Sequence, residues 1–175
     1  DFDFLFGKWN VAHRRLKERL KGSSDWEEFS GASATRPILG GLGNIEENEI
    51  RLPTGSYLAI ALRSFDSKTG QWAIWWLDQR SPHSLDVPVV GSFSDGIGIF
   101  DADDVLDGRP IKVRFQWNTR DADGMPKWQQ SFSPDGGMTW EPNWHMTFSR
   151  ADGRSGYRSF AHPCDHKKKG RRNFK

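Results

Sequence analysis

At 175 residues, with 35% hydrophobic and 13% aromatic content, the chain carries its apolar volume in large side chains, nine Trp and twelve Phe among them. Each buried aromatic removes a large area from water, so this composition supports a packed core and excludes a disordered body despite a mean hydropathy of -0.73. The formal charge of +2 hides an asymmetry: residues 151–175 carry a net +6 and residues 1–150 a net -4, which excludes a nucleic-acid footprint on the body.

In chain order, residues 1–6 offer a short helical turn before Gly7, and alternation then dominates. Period-two patterns place strands at 8–20, 25–36, 43–52, 57–65, 71–79, 87–93, 97–101, 109–119, 127–133 and 140–149. Leu58, Ile60 and Leu62 share one face. So do Ile111, Val113, Phe115 and Trp117, and near the end Trp144, Met146 and Phe148. Asp66 to Gly70, Ser94-Asp95-Gly96 and Asp107-Gly108 supply the positive φ of tight hairpins. About ten hairpin-linked strands with no helix to cover an edge predict a soluble all-β domain. Its form is a closed antiparallel up-and-down barrel over 1–150. Residues 151–175 lose the alternation and read as a basic tail, in which Lys167 to Arg172 form a solvated charge run.

Phe4-Leu5-Phe6-Gly7-Lys8-Trp9 resembles a lipocalin-type opening, where a helical turn leads through Gly-x-Trp into the first strand. That resemblance implies a basic residue of the last strand, here Arg150, packed across Trp9. His13-Arg14-Arg15-Leu16, Leu62 to Asp66, Trp72 to Trp76, Pro88 to Gly91, Gly108 to Ile111, Val113 to Trp117 and Phe132 to Trp144 extend the match over residues 2–150. In these segments the chain is similar to a bacterial family of uncharacterised lipocalin-like, calycin-type barrel domains. The resemblance implies a barrel with a central cavity and no particular activity.

Ser133-Pro134-Asp135-Gly136-Gly137-Met138-Thr139-Trp140 has the form of an Asp-box. A single copy without a repeat period is a hairpin device rather than a propeller signature. Cys164 stands alone, so no internal disulfide forms. His162-Pro163-Cys164-Asp165-His166 makes a poor tetrahedral site, and no metal is expected. No run approaches the roughly 18 apolar residues needed to span a bilayer. With no leader-like segment, a cytoplasmic setting is the expectation, although the start at Asp1 rather than Met weakens it.

Polar residues that share strand parity with aromatics are the candidate site. His13 goes with Trp9 and Val11, Glu28 with Trp26, Asp78 and Arg80 with Trp72 and Trp76, and Gln130 with Trp128. If those faces point inward, Trp26, Arg63, Trp72, Trp76, Arg80, Trp128 and Gln130 line a cavity for a small apolar or aromatic molecule without a cofactor. The alternative is a cofactor-free isomerase, cyclase or hydratase in which His13 and Glu28 or Asp78 exchange protons. A haem-binding barrel using a single His is the third option. For the assembly, a homodimer is the alternative to a monomer.

Overall fold

The computed structural model describes residues 1–119 and 124–151. The tail expected over 151–175, with His162, Cys164 and the basic run, lies outside the described residues apart from Ala151, whose N–H donates to the Lys8 carbonyl at 3.1 Å.

Ten antiparallel strands pair in chain order and close on themselves. They are β1 (Gly7–Leu16), β2 (Trp26–Ile38), β3 (Gly43–Leu52), β4 (Gly55–Asp66), β5 (Gln71–Asp78), β6 (Val89–Ser94), β7 (Ile97–Leu106), β8 (Arg109–Asn118), β9 (Lys127–Ser133) and β10 (Glu141–Arg150). Closure runs from Trp9 opposite Arg150 to Arg15 opposite Trp144, so each of the ten strands has a paired neighbour on both sides. No helix among the described residues is long and apolar enough to cross a membrane.

One end is plugged. A 3₁₀ turn, Phe2–Leu5, buries Phe2 and Leu5 completely. Phe2 packs edge-on against Trp72 at 5.0 Å and Phe93 at 4.9 Å, the aromatic geometry that ring quadrupoles favour. Gly7, at φ +106°, turns the chain from the plug into β1. The Trp9 indole donates to the Leu5 carbonyl at 2.7 Å, and the Arg150 guanidinium lies 3.8 Å from the Trp9 ring. Arg150 also donates to the Phe6 carbonyl at 2.6 Å, so one cation ties the last strand to the plug.

Strand positions follow the alternation, and the limits that move furthest are the end of β1 and the end of β7. β1 stops at Leu16 rather than continuing to residue 20. Leu20 adopts φ +56°, its N–H donates to Glu141 at 2.8 Å, and its side chain packs on the core, so residues 17–25 fold over the open end. β7 runs to Leu106 because Asp101 and Asp103 pair across the ladder with Arg114 at 2.8 Å and Lys112 at 2.7 Å. On β4 the aliphatic set Leu58, Ile60 and Leu62 faces outward, and Tyr57, Ala59, Ala61 and Arg63 face the interior. Ala61 is the cross-strand neighbour of Trp76, and small inward residues make room for that indole.

The Asp-box closes the β9–β10 hairpin. Asp135 accepts from the Thr139 hydroxyl and N–H and from the Ser133 hydroxyl, and these bonds hold its carboxyl down at about 2. The Trp140 indole donates to the Gly137 carbonyl at 3.0 Å.

Candidate functional site

Toward the open end the interior is not filled. A chamber of about 490 Å³ lies between β1, β5, β7, β8, β9 and β10, beneath residues 17–25 and the β5–β6 connection. Its aromatic walls are Trp76, Phe115, Trp128, Phe132 and Trp144. Trp128 holds Phe115 at 4.9 Å and Trp144 at 5.8 Å, both edge-on, so the rings form one continuous wall. A volume of this size suits a drug-sized molecule, and such sites combine apolar walls with a few fixed polar groups.

The polar groups at the chamber are held. Gln130 donates to Asn143 at 2.9 Å, and Asn143 sits fully buried at the β10 bulge between Pro142 and Trp144. Arg15 grips Glu27 through Nε at 2.9 Å and Nη2 at 2.6 Å, and lies 5.2 Å from both the Phe29 and Trp144 rings. At the mouth Arg80 pairs with Asp78 at 2.8 Å and stacks on Tyr57 at 3.7 Å. The Arg80 side-chain and backbone hydrogen bonds outweigh burial and hold the Asp78 carboxyl below its ordinary value. Asp86 behaves oppositely: burial, then Asp104 and Asp78, raise its carboxyl.

The candidate residues therefore separate. Trp76, Asp78, Arg80, Trp128 and Gln130 all line the chamber. Four candidates do not, and His13 only supports a wall. Trp26 and Glu28 face outward, since β2 turns Phe29, Gly31 and Ser33 to the interior. Arg14, 4.5 Å from the Trp26 ring, and His145, 5.3 Å from it, cover that indole on the outer surface. Glu28 stands 78% exposed beside Arg14, on the opposite sheet face from His13.

Trp72 belongs to the plug, packed on Phe2 with its indole donating to Asp1 at 3.1 Å. Arg63 is buried beside the plug rather than in the chamber. It donates to Asn44 at 2.9 Å and to Glu46 at 2.5 Å, and its guanidinium stands 5.0 Å from the Phe2 ring. A guanidinium in so dry a place persists only when paired.

His13 is interior but closed off. Its ring stacks on Phe29 at 4.7 Å, Nδ1 accepts from the Trp144 indole at 3.2 Å, and a Cβ on Gly31 would stand 2.6 Å from Nε2. Accepting at Nδ1 fixes a neutral ring with its proton on Nε2. Burial, with Arg15 adding, lowers its pKa to about 3. Its role in this geometry is to orient Trp144. Neither ring nitrogen opens onto the chamber for proton exchange or for axial ligation of an iron.

Trp144, Phe115 and Arg19 were not among the candidates, although each lines the chamber. The alternation of Trp144 with Met146 and Phe148 was the available signal for the first. Arg19 carried none, because it lies beyond the end of β1. No protein-family model matches the chain, and no curated protein shows significant similarity to it.

Proposed function

We propose that this protein is a lipocalin-like carrier that holds one small apolar or aromatic molecule in the chamber between Trp76, Trp128 and Trp144. The observation that carries the reading is the chamber itself. It offers about 490 Å³ of space against a continuous aromatic wall, and its polar side chains are mostly held by partners within the protein. Pre-held polar groups and rigid rings keep the cost of ordering on binding small. The lipocalin-like character is supported by the plug, the Gly-x-Trp turn into β1 and the Arg150–Trp9 contact.

An enzyme would need a proton-exchanging pair in the chamber. His13 has its basic nitrogen engaged and its carboxylate candidates elsewhere, so no observation favours that chemistry over carriage.

The test is titration with N-phenyl-1-naphthylamine, a neutral aromatic probe, following probe emission and tryptophan quenching. Saturable binding near one-to-one is the expected result. Trp76→Ala and Trp128→Ala should each weaken it about tenfold, equal to roughly 1.4 kcal/mol of lost contact. Binding that is not saturable, or that ignores both substitutions, contradicts the proposal.

A further inference from the structure

The cations around the chamber are not equivalent. Arg15 is bound to Glu27, Arg80 to Asp78, and Lys17 reaches out to Asp25 at 2.9 Å. Arg19 also lines the chamber, from the segment that folds over the open end. Among the described residues it forms no ion pair within 4.0 Å, and its Nε is buried without a hydrogen-bond partner.

The two acids that act on Arg19 each have one oxygen engaged by another donor. Glu27 gives one oxygen to both Nε and Nη2 of Arg15, and Glu141 accepts from the Leu20 N–H. Burial, then the like charge of Arg15, disfavour the charged form of Arg19, with Glu27, Tyr57 and Glu141 only partly offsetting them. A guanidinium does not release its proton in proteins, so an anion is what relieves this arrangement. Half-way round the ten-stranded ring, Asp86 and Asp104 line the same chamber, and a second negative charge on the ligand would meet them.

We infer that the ligand is a monocarboxylate on an aromatic or alicyclic body, its carboxylate forked by Arg19 at the mouth and its ring against Trp76, Trp128 and Trp144. The inference rests on the binding reading above and adds the ligand's charge and orientation. Planar guanidinium and carboxylate match two N–H donors to two oxygens, and the partial burial of Arg19 limits screening by salt.

Two probes with one ring system separate charge from shape: 2-naphthoate and the neutral 2-naphthamide, titrated calorimetrically into the full chain at pH 7. The naphthoate should bind at least tenfold more tightly. Arg19→Met should remove that advantage while leaving naphthamide within about twofold of its original affinity. Arg19→Lys, which keeps the charge and loses the fork, should retain part of it. Lys21→Met, at an exposed cation paired with Glu18 and outside the chamber lining, should change neither ligand.

Equal affinities for the two probes in the unsubstituted protein overturn the inference without recourse to any variant. So does an Arg19→Met protein that loses both probes in equal measure or keeps the naphthoate preference. If neither probe binds the unsubstituted protein, the binding reading fails and this inference falls with it.

Discussion

Lowering the pH from 7 to 4 protonates His13 in the unfolded chain long before it does so in the barrel. The unfolded imidazole titrates at 6.5, whereas burial in the folded state lowers the value to about 3. Over that window the folded protein binds fewer protons, so stability from this group is complete above pH 6.5 and is lost as the pH falls toward 3. At 1.36 kcal/mol per pH unit, the loss is on the order of 2 kcal/mol at pH 5 and 3 kcal/mol at pH 4. Other groups titrate in the same range, so the comparison that isolates His13 is with His13→Gln, whose side-chain carbonyl can still accept from the Trp144 indole. At pH 7 the variant should be less stable by roughly 1–3 kcal/mol, through the lost ring stack on Phe29 and imperfect packing against Gly31. Urea unfolding at intervals between pH 7 and 4 should show that gap closing or reversing as the wild type loses its His13 contribution. Curves that stay parallel across the range would refute the picture of a buried, neutral His13.

Three other substitutions probe the frame around the chamber. Arg150→Ala removes the cation over Trp9 and the hydrogen bond to the Phe6 carbonyl, and should cost about 1–3 kcal/mol in chemical denaturation. Arg63→Met leaves the Glu46 carboxylate buried alone and should cost about 3–5 kcal/mol, with Arg63→Met/Glu46→Gln recovering part of it. Asp86→Asn should stabilise the protein at pH 7, because the folded state raises this carboxyl. The gain should fade as the pH falls through the raised folded value and be gone well below the unfolded value of 3.8, where the native side chain is neutral in both states, and thermal melts at pH 7 and pH 3 compare the two.

The strands were legible because their signals are local. Alternation in Ile111 to Trp117 and the Asp107-Gly108 turn before it need no knowledge of the rest of the chain, and β8 and its hairpin stand where they indicate. The orientation of each strand was less legible. Parity divides a strand into two sets, and only closure of the barrel decides which set is inside. On β4 parity groups Arg63 with small alanines, and that set rather than the aliphatic one lies inside, beside Trp76. On β2 the indole of Trp26 reads as interior, yet Arg14 and His145 shield it outside.

The chamber itself is a non-local product. Arg19 reaches it because Leu20 turns back onto the core, and Gln130 is held there because a bulge between Pro142 and Trp144 turns Asn143 inward. Neither event has a signature in the residues immediately around it. His13 shows the same limit: its place on an inward face was legible from parity, and its engagement by Trp144, 131 residues away, was not.

Occupancy of the chamber is read directly from a crystal structure of the protein soaked with 6-bromo-2-naphthoate, with the bromine located by its anomalous signal. A single strong peak is expected inside the barrel, with the naphthyl ring between Trp76 and Trp128 and the carboxylate toward Arg19. A peak only on the outer face of β3 to β5, or a chamber filled by collapsed side chains with no bromine in it, would contradict the proposed binding.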